Sequence, residues 1–328
     1  MKKLLLFICA FLALSSSAQN IDNILYENWN GVSWDNSMYQ DYTYDGSGYL
    51  TNLLTTTWNV SFWENSSQNN YTNDGSGTLQ DYITQIWDGS IWDNSQRATY
   101  TYNGSGDPLT ITFQNWNVSS WDNDLKQNAT YDGSGYLTNL LTTVWNGNTW
   151  ENNGQINYTN DGSGTLQDYT IQQWNGSGWD NSQRATYTYN GSGDPLTITF
   201  QNWNVSSWEN SNQYNYTNDG SGYLTNLLIT NWNVSTWENN VQYNYTNNGS
   251  GTVQDLIVQS WNGSGWDNFQ KVTYDYIPST ANLTEIYDND RKVIHVFDMM
   301  GRETSPQKNK VLIYQYSDGT TERIFEFD

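Results

Sequence analysis

The sequence predicts an all-β fold of nine tandem 29-residue β-hairpin repeats, which form an extended antiparallel meander that curls into a spiral or a closed tube, plus a small C-terminal β module. Three observations predict it. All eighteen tryptophans fall into nine pairs that recur every 29 residues. A Gly-rich turn recurs at the same interval, and the segments between these marks alternate with period two, as strands do. Exact self-similarity is typical of repeat proteins, whose units bury their apolar faces against neighbours.

The first 18 residues resemble an export signal. Lys2 and Lys3 precede an apolar run, which ends in small residues up to Ala18. The run is too short to span a bilayer comfortably, and no later stretch approaches the roughly 20 apolar residues of a membrane helix. We therefore expect a signal peptide at residues 1–18 and a mature chain that is secreted or held at the outer cell surface, without a transmembrane segment.

The domain boundary is predicted near Pro278, where the composition changes. Residues 19–280 form the predicted repeat domain, with 25 acidic and four basic residues from residue 20 onward, and 281–328 form a C-terminal sorting-like β domain. The full chain has a net charge of −22, which disfavours nucleic acid as a partner because phosphates would be repelled. Cys9, within the signal, is the only cysteine, so neither disulfides nor thiolate metal sites are expected.

Each repeat contains two strands, and the alternation predicts which side chains share a face. In the second strand of the third unit we expect one aromatic face and one polar face. The predicted aromatic face carries Trp92, Asn94, Gln96, Ala98, Tyr100 and Tyr102. Two strands per unit predict about eighteen strands. A propeller is disfavoured because a four-stranded blade would need two units, and nine is an odd number. A membrane barrel is disfavoured because the second face lacks the belt of aliphatic residues that would contact lipid.

Two kinds of turn connect the strands. Asp45-Gly46-Ser47-Gly48 and its copies predict tight hairpin turns, in which Gly supplies positive φ and Asp or Asn tolerates it. The other turn is the variable tip between the two tryptophans of each pair. A slower period of 87 residues, visible where Tyr49 recurs as Tyr136, indicates duplication of a three-unit block and need not be structural.

Residues 42–50 (YTYDGSGYL) resemble the core of the tyrosine-aspartate repeats of Rhs-type shell proteins. That resemblance implies a spiralling antiparallel sheet. The unit here is longer, and the tryptophan pair is additional. Because no toxin-like domain follows, the resemblance supports the sheet architecture and not toxin delivery.

The tail, from about residue 285 to 328, resembles the C-terminal sorting domain of Bacteroidetes type IX secretion substrates. The turn motif of that family corresponds here to Asp298, Gly301 and Arg302, and Asp318-Gly319 matches a second turn. The Gly that usually precedes the Tyr-containing strand is absent. The resemblance implies that the type IX secretion machinery is a partner through this module.

No constellation for catalysis is visible, and we expect no enzyme activity. His295 is the only histidine, and its alternation with apolar residues favours a structural role. A carboxylate follows the second tryptophan of every pair, and we call these nine acids the carboxylate ladder. Their position favours a role in solubility, with weak Ca²⁺ binding as the alternative and no other cofactor. A polysaccharide hydrolase that uses a pair of these carboxylates is a remote third option. This ladder consists of Asp35, Glu64, Asp93, Asp122, Glu151, Asp180, Glu209, Glu238 and Asp267.

The tryptophans allow two hypotheses. The first is a secreted or surface-displayed, non-enzymatic repeat protein of the adhesin or matrix type, with polysaccharide or cell-surface glycans as candidate partners for rows of indoles. The second is a purely structural shell or spacer in which every pair is internal. The rows comprise Trp29, Trp34, Trp58, Trp63, Trp87, Trp92, Trp116, Trp121, Trp145, Trp150, Trp174, Trp179, Trp203, Trp208, Trp232, Trp237, Trp261 and Trp266.

Overall fold

The computed structural model describes residues 20–277, 293–298, 303–306, 311–316 and 321–325. The chain divides into two compact units, one ending at Ile277 and one beginning at Pro278. Every regular element among the described residues is a β-strand, which confirms the all-β fold class. None of them belongs to a helix long and apolar enough to cross a membrane. The predicted signal peptide and the turn residues Gly301 and Arg302 lie outside the described residues.

Eighteen strands form the sheet of the first unit. They are β1 (Ile21–Trp29), β2 (Trp34–Tyr44), β3 (Leu50–Asn59), β4 (Phe62–Asn73), β5 (Leu79–Trp87), β6 (Trp92–Tyr102), β7 (Pro108–Asn117), β8 (Ser120–Tyr131), β9 (Leu137–Trp145), β10 (Trp150–Asn160), β11 (Leu166–Trp174), β12 (Trp179–Tyr189), β13 (Pro195–Asn204), β14 (Ser207–Asn218), β15 (Leu224–Asn233), β16 (Thr236–Asn247), β17 (Val253–Trp261) and β18 (Trp266–Tyr276).

The sheet closes on itself. Each strand pairs antiparallel with the next one in sequence, and β1 also pairs with β18. At this closing pair Ile24 lies opposite Tyr274 and Tyr26 opposite Val272. Beyond it, the Ile277 N–H donates to the Asn20 carbonyl oxygen at 2.8 Å. Of the two predicted forms, the structure has the closed tube, so the sheet formed by residues 21–276 has no free edge.

A β-bulge in every hairpin overturns the predicted division of faces. Between β5 and β6, Gln85 pairs with Asn94, but Thr84 pairs with Gln96, so Ser95 has no partner. One extra residue shifts the alternation, and all later side chains of the strand move to the other face. The same register shift occurs in all nine hairpins that end in a tryptophan pair.

The sheet therefore has two different aromatic faces, and the prediction of a single one is wrong. We call the side with the tryptophan pairs and residues such as Asn94 the Trp face, and the side with Ala98 and residues such as Tyr100 the Tyr face. Two clusters of buried apolar side chains lie on the Tyr face, one around Val272 and one around Tyr169. The apolar core is thus built on the Tyr face.

The Gly-rich turns are hairpin turns as predicted, but their chemistry differs from the prediction. Positive φ falls on the last glycine, as at Gly48 with φ of 83°, and not on Asp45 or Gly46. The Asp45 carboxylate instead accepts the backbone N–H groups of Ser47 at 2.8 Å and Tyr49 at 2.9 Å. Asp or Asn is needed here as an acceptor that fixes the turn, while Gly supplies the left-handed residue.

The second unit contains a separate antiparallel three-stranded sheet. Its strands are β19 (Val293–Asp298), β20 (Val311–Tyr316) and β21 (Thr321–Phe325). Val296, Leu312 and Tyr314 form its buried core. The His295 side chain is 47% exposed, and its Nδ1 lies 2.7 Å from Glu303 Oε1. The contact with the Glu303 carboxylate at this exposed position supports a structural role for His295.

Candidate functional site on the Trp face

The tryptophan pairs join the two strands of each hairpin on the Trp face. In the pair Trp174–Trp179 the ring centroids are 5.0 Å apart with an interplanar angle of 63°. The other eight pairs have nearly the same edge-to-face geometry. Such contacts stabilise by about 0.5–1.5 kcal/mol beyond the buried area. All eighteen indoles are half-buried, so each pair clamps its hairpin and still offers ring surface to solvent.

Amide side chains form relays across the strands of the same face. Asn139 donates to Gln155 at 3.2 Å, Gln155 to Gln172 at 2.7 Å, and Gln172 to Asn181 at 3.0 Å. Hydrogen bonds in such a chain polarise one another. Our sequence predictions did not include this relay. The available signal was an Asn two residues after the second tryptophan in every unit, of which Asn181 is one.

All four cations of the repeats also lie on the Trp face, at one position of the 29-residue unit. The Arg97 guanidinium lies 2.9 Å from Asp81, and Lys271 lies 3.5 Å from Glu27. Arg184 lies over the Trp208 ring at 5.0 Å, and Lys126 contacts the indole of Trp150 in the same way at 5.9 Å. Each positive charge is thus held by a carboxylate or an indole and is not presented as an anion-binding group.

A groove opens between two neighbouring tryptophan pairs. Its volume is about 630 Å³, and it lies where β12 and β13 meet. The residues that line it supply aromatic surface and amides from the Trp face, while the Asp180 carboxylate lies on the opposite face because side chains alternate along the strand. The lining residues are Gln172, Trp179, Asp180, Asn181, Trp203 and Val205. This combination suits a ligand with both apolar faces and hydroxyl groups.

The carboxylate ladder predicted from the sequence is exposed along its whole length, but its members bond locally. Asn175 Nδ2 donates to Asp180 at 3.0 Å, and seven other hairpins have the corresponding bond. The described residues contain no group of three or more His, Cys, Asp or Glu that could hold a metal ion. In these eight hairpins the bond gives the acid after the second tryptophan a structural role, because it fixes the hairpin tip.

Four hairpin tips hold a valine in a strained backbone conformation. Val60, Val118, Val205 and Val234 have φ between 53° and 55°. At one of them the Ser206 N–H bonds back to the Asn204 carbonyl oxygen, as in a γ-turn. The Val205 side chain is nevertheless 90% exposed, so no packing requires it there. The left-handed region disfavours β-branched residues, so strain is stored at these tips.

Replacing Val205 with Gly should therefore stabilise the protein. Relief of left-handed strain contributes about 1–2 kcal/mol, against about 0.5–1 kcal/mol for the extra freedom of Gly in the unfolded chain. We expect a net gain of roughly 0.5–1 kcal/mol, measured by urea denaturation. The matched control is Val32→Gly, because Val32 is 87% exposed at a tip where Gly31, and not the valine, has positive φ. An equal gain in the control would contradict the strain argument.

The fold and this face together define a closed, 18-stranded antiparallel barrel with one polar aromatic face and one apolar face. No protein-family model matches the chain, and no curated protein matches it. Among solved structures it is similar to a porin-like protein from Bacteroides uniformis, at 15% identity and a TM-score of 0.41, covering 79% of this chain and 98% of the other. A porin-like protein from Bacteroides vulgatus matches at 11% identity and a TM-score of 0.29, covering 80% and 100%.

A structure of TcdB2-TccC3-TEV is also similar, at 12% identity and a TM-score of 0.29, covering 90% of this chain and 19% of that one. With TM-scores of 0.41 or below, none of these likenesses carries an argument about function. The side chains of the Trp face are therefore the features of this chain that bear on its function.

Proposed function

We propose that the protein is a non-enzymatic repeat protein of the adhesin or matrix type, exported to the medium or the cell surface, whose Trp face binds glycans. The groove between Trp179 and Trp203 carries this proposal. An indole face packs against the C–H face of a sugar ring, and the amides of Gln172 and Asn181 are suited to bond its hydroxyls. We also propose that the protein is exported, with the type IX secretion machinery as its partner. The signal-like residues 1–18 and the sorting-like tail support this route.

A binding role fits the carboxylates better than hydrolysis does. A glycosidase needs two carboxyl groups about 5 to 9.5 Å apart with different environments. Eight of the nine acids share one environment: each is exposed and accepts from an Asn five residues earlier, as Asp180 does from Asn175, whereas Asp93 follows Asp88. Asp88 and Asp93 are the one pair of acids at a tryptophan-pair tip, but Asp88 accepts the backbone N–H groups of Ile91 and Ser90, which lowers its pKa and disfavours it as a general acid.

The glycan hypothesis is tested by applying the full chain to an array of neutral and acidic glycans, with and without Ca²⁺. We expect binding to neutral glycans that does not depend on Ca²⁺, together with a change in tryptophan emission, because the indoles would be partly covered. Absence of binding to every glycan would remove this function.

The second candidate is a structural shell or spacer, and the clamp geometry of the tryptophan pairs favours it. In that case the ring contact, such as the 5.0 Å pair Trp58–Trp63, would be the whole role of the indoles. Acrylamide quenching separates the two hypotheses. Strong protection of the indoles from acrylamide, without any glycan effect, would support the spacer.

A further inference from the structure

A row of tyrosines runs round the sheet on the Tyr face, and the row has one gap. It takes one residue from the second strand of every hairpin, at the same position of the 29-residue unit. In eight of the nine hairpins that residue is a tyrosine, and in β8 it is Ala129. Neighbouring members of the row lie two strands apart, which is about 10 Å. The eight tyrosines are Tyr42, Tyr71, Tyr100, Tyr158, Tyr187, Tyr216, Tyr245 and Tyr274.

The side chains around Ala129 repeat those around Tyr216, which lies 87 residues later in the chain. Each has a leucine directly opposite on the following strand and an isoleucine on the diagonal of the preceding strand, and both positions are within contact distance across a strand pair. The two sets are Leu140 and Ile111 beside Ala129, and Leu227 and Ile198 beside Tyr216. The same aliphatic surroundings therefore hold a phenol ring at Tyr216 and only a methyl group at Ala129.

The position above Ala129 is open to solvent. The other two alanines of the repeats, Ala98 and Ala185, also lie on the Tyr face and are 0% exposed, whereas Ala129 is only half-buried. Neither of the two buried clusters described for this face includes a side chain from β7, β8 or β9. The side chains around Ala129 thus leave it uncovered.

Tyr131, two residues after Ala129, forms an aromatic wall of the gap. In two other hairpins the row tyrosine stacks on the tyrosine two residues later, whose hydroxyl donates to a leucine carbonyl oxygen. These pairs are Tyr100–Tyr102, with centroids 6.4 Å apart, planes at 17° and a bond to Leu79, and Tyr187–Tyr189, at 6.3 Å and 11° with a bond to Leu166. Tyr131 makes the corresponding bond to the Pro108 carbonyl oxygen at 2.8 Å, but no ring of a described residue lies against it. Its ring is thus fixed where a second ring can stack.

The surroundings of the gap favour an uncharged ring. Burial, reinforced by the neighbouring Tyr214, raises the pKa of Tyr216, so its aliphatic neighbours stabilise the neutral phenol. Leu140 and Ile111 give the gap the same neighbours. The net charge of −22 further disfavours aromatic carboxylates.

We propose that the gap at Ala129 is a binding site for one small neutral phenol, whose ring takes the place that a tyrosine ring occupies in the other eight hairpins. A phenol ring is the group by which tyrosine exceeds alanine, so the ligand and the Ala129 methyl group together fill the space of one tyrosine. The ring stacks on Tyr131 and packs against Leu140 and Ile111. This site lies on the Tyr face and does not depend on glycan binding by the Trp face.

Titration of the full chain with phenol, followed by NMR of isotope-labelled alanine methyl groups, tests the proposal. We expect a saturable ring-current shift of the Ala129 signal with one molecule bound, and no shift at the fully covered Ala98 and Ala185. The charged probe para-hydroxybenzoate should leave all three signals unchanged. No shift at Ala129, or equal shifts at all three alanines, would overturn the site, and equally tight binding of para-hydroxybenzoate would overturn its preference for neutral rings.

Two substitutions fill and open the gap. Ala129→Tyr should abolish phenol binding and raise the urea midpoint of unfolding, because the ring is then part of the chain. Tyr216→Ala should open a second gap with the same surroundings, so that two phenol molecules bind and the introduced methyl group also shifts. Undiminished binding to Ala129→Tyr, or a single bound molecule in Tyr216→Ala, would overturn the assignment.

The stacking wall is tested by Tyr131→Leu, with Tyr102→Leu as the matched control. Both changes remove a ring and a hydroxyl bonded to a backbone carbonyl oxygen, but only Tyr131 borders the gap. We expect phenol affinity to fall about two- to tenfold in Tyr131→Leu, as for the loss of one aromatic contact, and to stay unchanged in Tyr102→Leu. Equal affinities in the two variants would contradict a site beside Tyr131.

Discussion

Replacing Ile24 with Asp should destabilise the barrel by roughly 4 kcal/mol, since it removes a buried aliphatic side chain and introduces a carboxyl group without a partner. Ile24 is 5% exposed and packs with Leu256, Val258 and Val272, so it connects the first strand to the last two. Loss of this cluster should release β1 from β18. Hydrogen exchange should then show lost protection at that strand pair before the other hairpins open.

The matched control is Ile86→Asp, which makes the same change on the same face at a side chain that is 45% exposed. We expect its free energy of unfolding to stay within about 0.5 kcal/mol of the original. The Ile24 variant should also self-associate, because an opened barrel has two unpaired edges. Equal stability of the two variants by urea denaturation would show that the closing strand pair does not hold the ring together.

Much of the strand pattern was predictable because each boundary has a local chemical cause. The indole pair marks one end of every hairpin, and Asp45 or its equivalent, which accepts two backbone N–H groups, marks the other. These signals act within a few residues of sequence. They therefore predict strands and turns without knowledge of what packs against them.

The division of faces was not predictable, because a bulge leaves almost no mark on composition. Asn94 and Ser95 are both small and polar, and either could be the unpaired residue. One unpaired residue moves Tyr100 to the face opposite Trp92, which separates the polar Trp face from the apolar core. Closure of the sheet into a barrel could not be chosen over an open spiral from the sequence either. It depends on the summed twist and curvature of many strands, and no single residue determines it.

The separation of faces gives each a different task. On the Tyr face, burial holds the ring together through clusters around Ile24 and Tyr169. On the Trp face, polar side chains bond to one another and leave donors such as Asn181 Nδ2 available. The Trp face can then vary at its hairpin tips, as between Val205 and Gly31, without disturbing the core on the other side.

The barrel should lose stability steeply as the pH rises above about 10, where tyrosines in the unfolded chain ionise. Burial, reinforced by the neighbouring Tyr158 and Tyr214, raises the pKa of Tyr169 to about 12. Burial likewise raises the pKa of Tyr245 to about 12, and it raises the pKa of Tyr158 and Tyr274 on the same face. A group whose folded-state pKa is raised stabilises the fold fully below its unfolded pKa. That contribution is lost as the pH rises towards the folded pKa.

For Tyr169, which is 7% exposed, a shift of two pKa units corresponds to about 2–3 kcal/mol lost between pH 10 and pH 12. Urea denaturation at steps from pH 8 to pH 12 measures the profile. Tyr169→Phe should make the decline shallower by about that amount, because Phe cannot ionise in either state. Tyr223→Phe, at a side chain 37% exposed in a turn, is the matched control. If the two variants had the same alkaline profile, burial of Tyr169 on the Tyr face would not be the cause of the alkaline loss of stability.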